Sequence, residues 1–185
     1  MTTSHDASQA FDTRAFRDAL GCFATGVTLI TTQGVDYPYG MTANAFSSVS
    51  LEPPLVLVCV VNGTEGGRRI RENGCFAVNV LGHHQETLSR YFASSDRPRG
   101  AEMFDRIPHW RAATGSPVID GVASYFDCRL VATHEAGDHI IFIGQVVALG
   151  ANHQMPPLLF HQGRYAQMAE QEIGPGEEEK DSPTA

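Results

Sequence analysis

The chain has 185 residues, 42% of them hydrophobic and 18% charged, which is the length of one domain and the composition of an ordinary globule rather than a disordered or fibrous chain. Thirteen lysines and arginines stand against 21 aspartates and glutamates, a net charge of −8, so there is no basic stripe to neutralise a phosphate backbone and nucleic acid is not an expected partner. The N-terminal "MTTSHDASQA" lacks the basic and apolar regions of a secretion signal and no run of about 18 apolar residues occurs, so no membrane segment is expected and the expected location is cytoplasmic.

Residues 1–10 read as a disordered tail, and so does the acidic stretch 169–185, whose "EQEIGPGEEEKDSPTA" has no apolar face. Between them lies one domain, 11–168. It opens with a helix in "FDTRAFRDALGCFATG", where Phe16, Leu20 and Phe23 keep helical spacing behind a cap at Asp12 or Thr13 and Gly26 ends the segment. "VTLITT" follows as a β-branched strand, and "YGMTANAFSSVS", "LVLVCVV", "CFAVNVL", "ASYFDCRLVAT", "HIIFIGQVVAL" and "PLLF" continue the β pattern. Two short helices interrupt it: "EGGRRIREN" behind Thr64, and "HQETLSRYFA" with Leu88 and Phe92 on one edge. The two longest strands flank "HEAGD" and predict an antiparallel hairpin. Strands that do not alternate with helices predict a mainly β fold, a closed or partly closed antiparallel barrel with a few short helices.

Three segments carry chemistry-bearing side chains. Read as one strand, "GMTANAFSSVS" puts Thr42 and Asn44 on one face and Ala43 and Ala45 on the other, with Ser47, Ser48 and Ser50 beyond. Such a strip suits a planar polar heterocycle or a phosphate, and equally a sheet edge whose hydroxyls face water. In "VCVVNGTEGGRRI", Gly63, Gly66 and Gly67 lie between a strand and a helix, where a phosphate can be received; a plain capped helix start explains them as well. On "HQETLSRYFA", Ser89 and Arg90 fall on the face beside the apolar edge, near the helix surface, where the guanidinium can take an anion or simply face water.

Asp138 and His139 stand at the mouth of the last long strand. Strand alternation sends them to opposite faces, so the aspartate is not expected to orient its neighbour and a Ser-His-Asp hydrolase is disfavoured. Gly144 within that strand suggests a bulge, or a flat ligand close to the backbone with His139 at its rim; a histidine satisfied in a turn is the plainer alternative. His83 and His84 diverge as neighbours and His153 and His161 stand apart, without metal-ligand spacing, so no metal site is expected. The four cysteines are scattered; Cys59, Cys75 and Cys128 read as small buried hydrophobes and no structural disulfide is expected.

Taken together, "FRDALGCFATGVTLITT", "GMTANAFSSVSLEPPLVLVCV", "FAVNVL", "LSRYFA", "GSPVIDG", "GDHIIFIGQV" and "PLLFHQGRY", in this order, resemble the short-chain flavin reductases. These are reductase components of two-component flavin-dependent monooxygenases, such as those serving 4-hydroxyphenylacetate or phenol hydroxylases. The resemblance spans about Phe11 to Met168. It implies a homodimeric split β-barrel of the Greek-key, FMN-binding type that uses NADH or NADPH to reduce FMN or FAD for a partner monooxygenase. It further implies that Met41, Thr42, Asn44, Ala45, Ser47 and Ser48 hold the flavin ring edge and the ribityl or phosphate groups. By the same resemblance Cys59, Val60, Val61 and Asn62 line the ring, Ser89 and Arg90 hold the phosphate, His139 meets the nicotinamide, and Gly163 to Tyr165 shape that side. The two glycines of "NGTEGGRRI" depart from relatives that more often carry a serine or threonine there, which leaves FMN against FAD open. The activity so implied is that of an NAD(P)H:flavin oxidoreductase. Two competing readings on the same barrel are a non-catalytic FMN-binding protein for storage or electron transfer, and a split-barrel oxidase or haem-handling protein related by fold alone.

Overall fold

β-branched and aromatic residues carry most of the chain into strands, and glycine, proline and asparagine punctuate them. The computed structural model describes residues 12–169, so the tails expected at 1–10 and 169–185 lie, apart from Ala169, outside the described residues. Helix α1 (Thr13–Gly21) starts at Asp12, whose carboxylate accepts the Arg14 N–H at 2.9 Å. There follow β1 (Thr25–Gly26), β2 (Thr28–Gln33), β3 (Pro38–Ala43), β4 (Phe46–Leu51), β5 (Pro54–Val61), α2 (Glu65–Asn73) and β6 (Cys75–Val80). A 3-10 turn at His83–Gln85 leads into α3 (Glu86–Ala93), and a second 3-10 segment covers Gly100–Phe104. The chain ends through β7 (His109–Arg111), β8 (Pro117–Ile119), β9 (Ser124–Ala136), β10 (His139–Ala151), β11 (Leu159–His161) and β12 (Arg164–Ala166).

Seven strands make one antiparallel sheet in the order β3-β2-β6-β9-β10-β5-β4. Its two edge strands, β3 and β4, are neighbours in the chain, joined only by Asn44 and Ala45. The sheet therefore curls until its edges meet at that link. Among the described residues no ladder joins β3 to β4, so the barrel is split along this seam. "YGMTANAFSSVS" is thus two strands, not one: a single strand would extend one edge, whereas this stretch crosses from one edge to the other, and side-chain alternation restarts at Phe46. A smaller sheet, β1-β11-β12, packs with α1, whose end is fastened by the Gln162 N–H donating to Gly21 O at 2.9 Å.

The interior holds two clusters of buried side chains, one around Val58, Phe76, Val78, Cys128 and Phe142, the other around Leu29, Leu81, Phe92, Met103 and Leu158 beneath α3. Buried Asp127 accepts the Thr114 N–H at 2.7 Å and its hydroxyl at 2.5 Å, and Asn79 Oδ1 accepts the Ile119 N–H at 2.9 Å, which together pin the β7–β8 hairpin over the barrel. Thr64 caps α2 as expected, accepting the Gly67 N–H at 3.4 Å. β9 and β10 form the expected hairpin, but its turn is only Gly137 and Asp138; His134 and Glu135 belong to β9. No helix among the described residues is long and apolar enough to cross a membrane.

Gly144 sits at a register shift of this hairpin, as the sequence suggests, but the flat group against it is a side chain and not a ligand. A Cβ there would lie 2.5 Å from Phe76 Cζ and 2.7 Å from Cys128 Cβ, so the glycine lets the Phe76 ring fill the barrel. Gly144→Ala is expected to lower stability in urea unfolding by about 1–3 kcal/mol, and adding Phe76→Leu in the same chain is expected to recover part of that loss.

Candidate functional site

The inner face of α3 carries a polar junction. Ser89 is buried there, its Oγ 2.8 Å from the Tyr165 hydroxyl of β12, and the Thr42 hydroxyl of β3 donates to Ser89 O at 2.7 Å. The sequence places Ser89 near the helix surface; the structure turns it inward because α3 packs on β3 through that side. Arg90, one residue on, is exposed. Its guanidinium lies 4.6 Å from the Tyr165 ring centre and 2.8 Å from Glu86. Four predicted residues, Thr42, Ser89, Arg90 and Tyr165, thus meet at one place, and an exposed ion pair such as Arg90–Glu86 gives way to a phosphate at little cost.

Beyond Thr42 the chain makes its crossing, and Asn44 enters a cavity of about 560 Å³ that it lines with Arg17, Thr25, Phe160, Gln162 and Gly163. Thr25 Oγ1 is buried there without a hydrogen-bond partner, a cost that a polar ligand would remove. Gln162 and Gly163 hold left-handed φ values of 47° and 75°, which is how the β11–β12 turn reaches over the cavity. Sequence reading finds Asn44 and Gly163 but misses Arg17, Thr25 and Gln162. The pair Gln162-Gly163 between two short strands is the signal that could have marked the turn.

The other side of the crossing runs along β5 and β10. The Cys59 N–H donates to Ala45 O at 3.0 Å, Cys59 lies opposite Ile141, and Val61 opposite His139. Alternation turns Cys59 and Val61 outward, so Cys59 is half-exposed rather than buried, while Val60 belongs to the core and cannot line a surface ligand. Met41 likewise packs inward, against both core clusters and beneath Gly66. Ser47 and Ser48 lie on β4 opposite Leu57 and Val56, exposed to solvent, with the Ser47 hydroxyl donating to Ser48 O at 3.1 Å. Gly66 lies in the first turn of α2 and serves packing, since a Cβ there would collide with Met41 and Tyr39, and the nearby cations are paired, Arg68 with Glu72 at 2.6 Å and Arg71 with Glu135 at 3.6 Å.

At the rim, Asn62 donates its N–H to Asp138 O at 2.9 Å and its amide to Gly137 O at 3.0 Å. His139 Nδ1 lies 2.7 Å from Asp138 Oδ1. The expectation of opposite faces fails because Asp138 is a turn residue, to which strand alternation does not apply. The hydrogen bond from His139, then its charge and, less, that of Arg17 hold the Asp138 carboxyl below its usual range. Burial pushes the Cys59 thiol up, and burial with the Asp127 charge pushes Cys128 up to about 12. All four cysteines are unpaired, and among the described residues no three His, Cys, Asp or Glu side chains gather as a metal cluster.

The seam at Asn44 and Ala45 is therefore flanked by an exposed arginine, a buried serine and an unsatisfied hydroxyl, and β5 and β10 lead from it to His139. That donor set fits a flavin nucleotide beside a second ring. The family model described as "Flavin reductase like domain" matches residues 20–169. Reductase subunit HsaB of a flavin-dependent monooxygenase from Rhodococcus jostii (strain RHA1) is 38% identical over 159 residues, covering 86% of this chain and 80% of that one. An FMN reductase (NADH), SmoA, from Agrobacterium fabrum is 39% identical over 160 residues, covering 86% and 88%. The solved NADH:FAD oxidoreductase SgcE6 of Streptomyces globisporus superposes with a TM-score of 0.81 at 38% identity, over 86% of this chain and 95% of that one. The chain belongs to the flavin reductase-like family, and its seven-stranded seamed sheet is that family's split β-barrel.

Proposed function

We propose that the chain is an NAD(P)H:flavin oxidoreductase that reduces FMN or FAD and supplies the reduced flavin to a partner monooxygenase. The single observation that carries this is the convergence of Thr42, Ser89, Arg90 and Tyr165 beside the seam at Asn44 and Ala45. Names of relatives support both halves of the reading: an FMN reductase and an NADH:FAD oxidoreductase for the chemistry, a monooxygenase reductase subunit for the destination. NADH is the donor that the FMN reductase and the NADH:FAD oxidoreductase carry in their names.

The flavin, when bound, supplies the redox chemistry by accepting hydride from the reduced nicotinamide. The chain binds and orients. Arg90 holds the phosphate, and Ser89, buried beneath it, is not exposed to the ligand but fixes the Tyr165 hydroxyl against α3. Asn44, Ala45, Ser47 and Ser48 offer amide, hydroxyl and backbone groups along the ring edge, and outward-facing Cys59, Val61 and Asn62 form the wall beside it. His139 and the Gly163–Tyr165 turn bound the donor's side, so that two rings stack in contact and water is displaced. No side-chain nucleophile is needed.

The active form we propose is a homodimer. α1 buries none of its side chains in one chain, leaving Phe16 49%, Leu20 57% and, just beyond, Phe23 78% exposed, and Leu149 of β10 is 62% exposed. Sedimentation equilibrium is expected to give about twice the 20.1 kDa of one chain. The four unpaired thiols accord with a cytoplasmic location.

Purified protein with NADH or NADPH is expected to oxidise the donor only when FMN or FAD is added, saturably in flavin; flavin binding without donor consumption would favour the storage or electron-transfer reading. Arg90→Ala is expected to weaken flavin binding about tenfold or more while changing donor use little. His139→Ala should do the reverse, raising the donor KM with flavin affinity kept. Thiol labelling at pH 8 gives a third check. Cys22 should react first, Cys128 only on unfolding because its thiol stays protonated up to about 12, and Cys59 slowly, with bound flavin protecting it.

A further inference from the structure

A cavity of about 780 Å³ lies on the side of α3 away from the seam. Its floor is apolar: Leu88, Tyr91 and Ile107 are half-buried against the second core cluster, and Met103 belongs to that cluster. Leu88 and Tyr91 stand three residues apart on one face of α3, whereas Ser89 turns inward and Arg90 toward Tyr165. A ligand on this floor touches none of the residues read as holding the flavin.

Hydrogen bonds to α3 hold the two walls in place. The Tyr91 hydroxyl donates to Met103 O at 2.9 Å, which fixes the Gly100–Phe104 segment beside the helix. Gln85, where the helix begins, donates its side-chain amide to Asp120 O at 2.9 Å and accepts the Gly82 N–H at 2.9 Å, which fixes the chain just after β8. The gap between these walls is thus part of the fold, ready for a ligand without rearrangement.

The mouth has a sign of charge. Glu102, Asp105 and Asp120 line it, all exposed, against Arg106 and His84. Among the described residues none of the three carboxylates has a hydrogen-bond or ion-pair partner, whereas Arg68, Arg71 and Arg90 elsewhere on the surface are each paired with a glutamate. Three carboxylates and one guanidinium leave the mouth negative above an apolar floor, a combination complementary to an organic cation. We propose that this cavity is a second ligand site, independent of the flavin site, for a small aromatic amine, with the ring on Leu88, Tyr91, Met103 and Ile107 and the ammonium at Glu102, Asp105 and Asp120. The Tyr91 ring adds a π surface beside the cation, and a carboxylate on the same aromatic body meets like charge at the mouth. No flavin-facing or donor-facing residue takes part, so the site stands apart from the reductase reading.

The test follows 13C-labelled methionine methyl groups by NMR in the full-length protein, without and with FMN, with M103L to identify the resonance. Tryptamine is titrated in, beside indole-3-propionate, which carries a carboxylate on the same ring system, and uncharged 3-ethylindole. Tryptamine is expected to shift the Met103 methyl saturably, with the Met41 methyl beneath Gly66 unmoved and the same affinity with and without FMN. It should bind about tenfold more tightly than indole-3-propionate, with 3-ethylindole between them. In E102Q/D105N/D120N the tryptamine affinity should fall about fivefold while that of 3-ethylindole is kept. R106E, a single change at an exposed position, should raise the tryptamine affinity about threefold, and it keeps the charge argument testable if the triple variant does not fold. A Met103 methyl that ignores tryptamine overturns the proposal, as do equal affinities for tryptamine and indole-3-propionate, or a tryptamine affinity that R106E leaves unchanged. Loss of tryptamine binding when FMN is added overturns the independence of the two sites and with it the proposal.

Discussion

The constraint on which this structure depends is the two-residue link Asn44–Ala45. It joins strands at opposite edges of a seven-stranded sheet, and two residues reach only about 7 Å, so the sheet has no choice but to curl. Once it has, β3 and β4 end beside each other without pairing, and the seam between them leaves backbone groups facing outward. The site is that seam together with the elements leaning on it. Thr42, the residue before the last of β3, is drawn against α3, Asn44 turns into the cavity under α1, and Ala45 bonds to Cys59.

Each neighbour of the seam is positioned by burial elsewhere. α3 is anchored by Phe92 in the second core cluster, which fixes the rotation that turns Ser89 inward and leaves Arg90 at the surface. β10 is anchored by Ile140 and Phe142, with Gly144 making room for Phe76, which fixes the hairpin tip and hence His139. The site's polar groups thus rest on rigid strands and one helix, as a site that must stack two rings in contact requires. Gly163 and Tyr165, by contrast, come from a short hairpin that reaches over the cavity, and it is held to the helix end through Gln162.

What was legible in the sequence follows the range of the forces involved. Period and punctuation marked each long strand and all three α-helices, because those signals are local; β1, β7, β8 and β12, two or three residues each, carry too little pattern to be read. The block order pointed to the family before any geometry, and Thr42, Ser89, Arg90 and Tyr165 did prove to be neighbours. Two misreadings have one root, which is alternation carried through a point where the strand stops: Asn44–Ala45 is a crossing and Asp138 is a turn residue. Val60 differs, because alternation within β5 turns it to the core and only the resemblance set it beside the ring. Arg17 and Thr25 carry no local signal, since only the tertiary fold brings α1, β1 and the β11–β12 turn to one cavity, whereas Gln162 beside Gly163 marks a turn without showing what the turn covers.

The most direct test of this account is a crystal structure of the protein soaked with flavin and oxidised nicotinamide dinucleotide. The account predicts the flavin phosphate at Arg90 above buried Ser89, the ring along Asn44, Ala45 and Cys59, and the nicotinamide between that ring and His139. It would be contradicted by a flavin ring lodged instead in the apolar cavity of about 780 Å³ on the far side of α3, among Leu88, Tyr91, Met103 and Ile107.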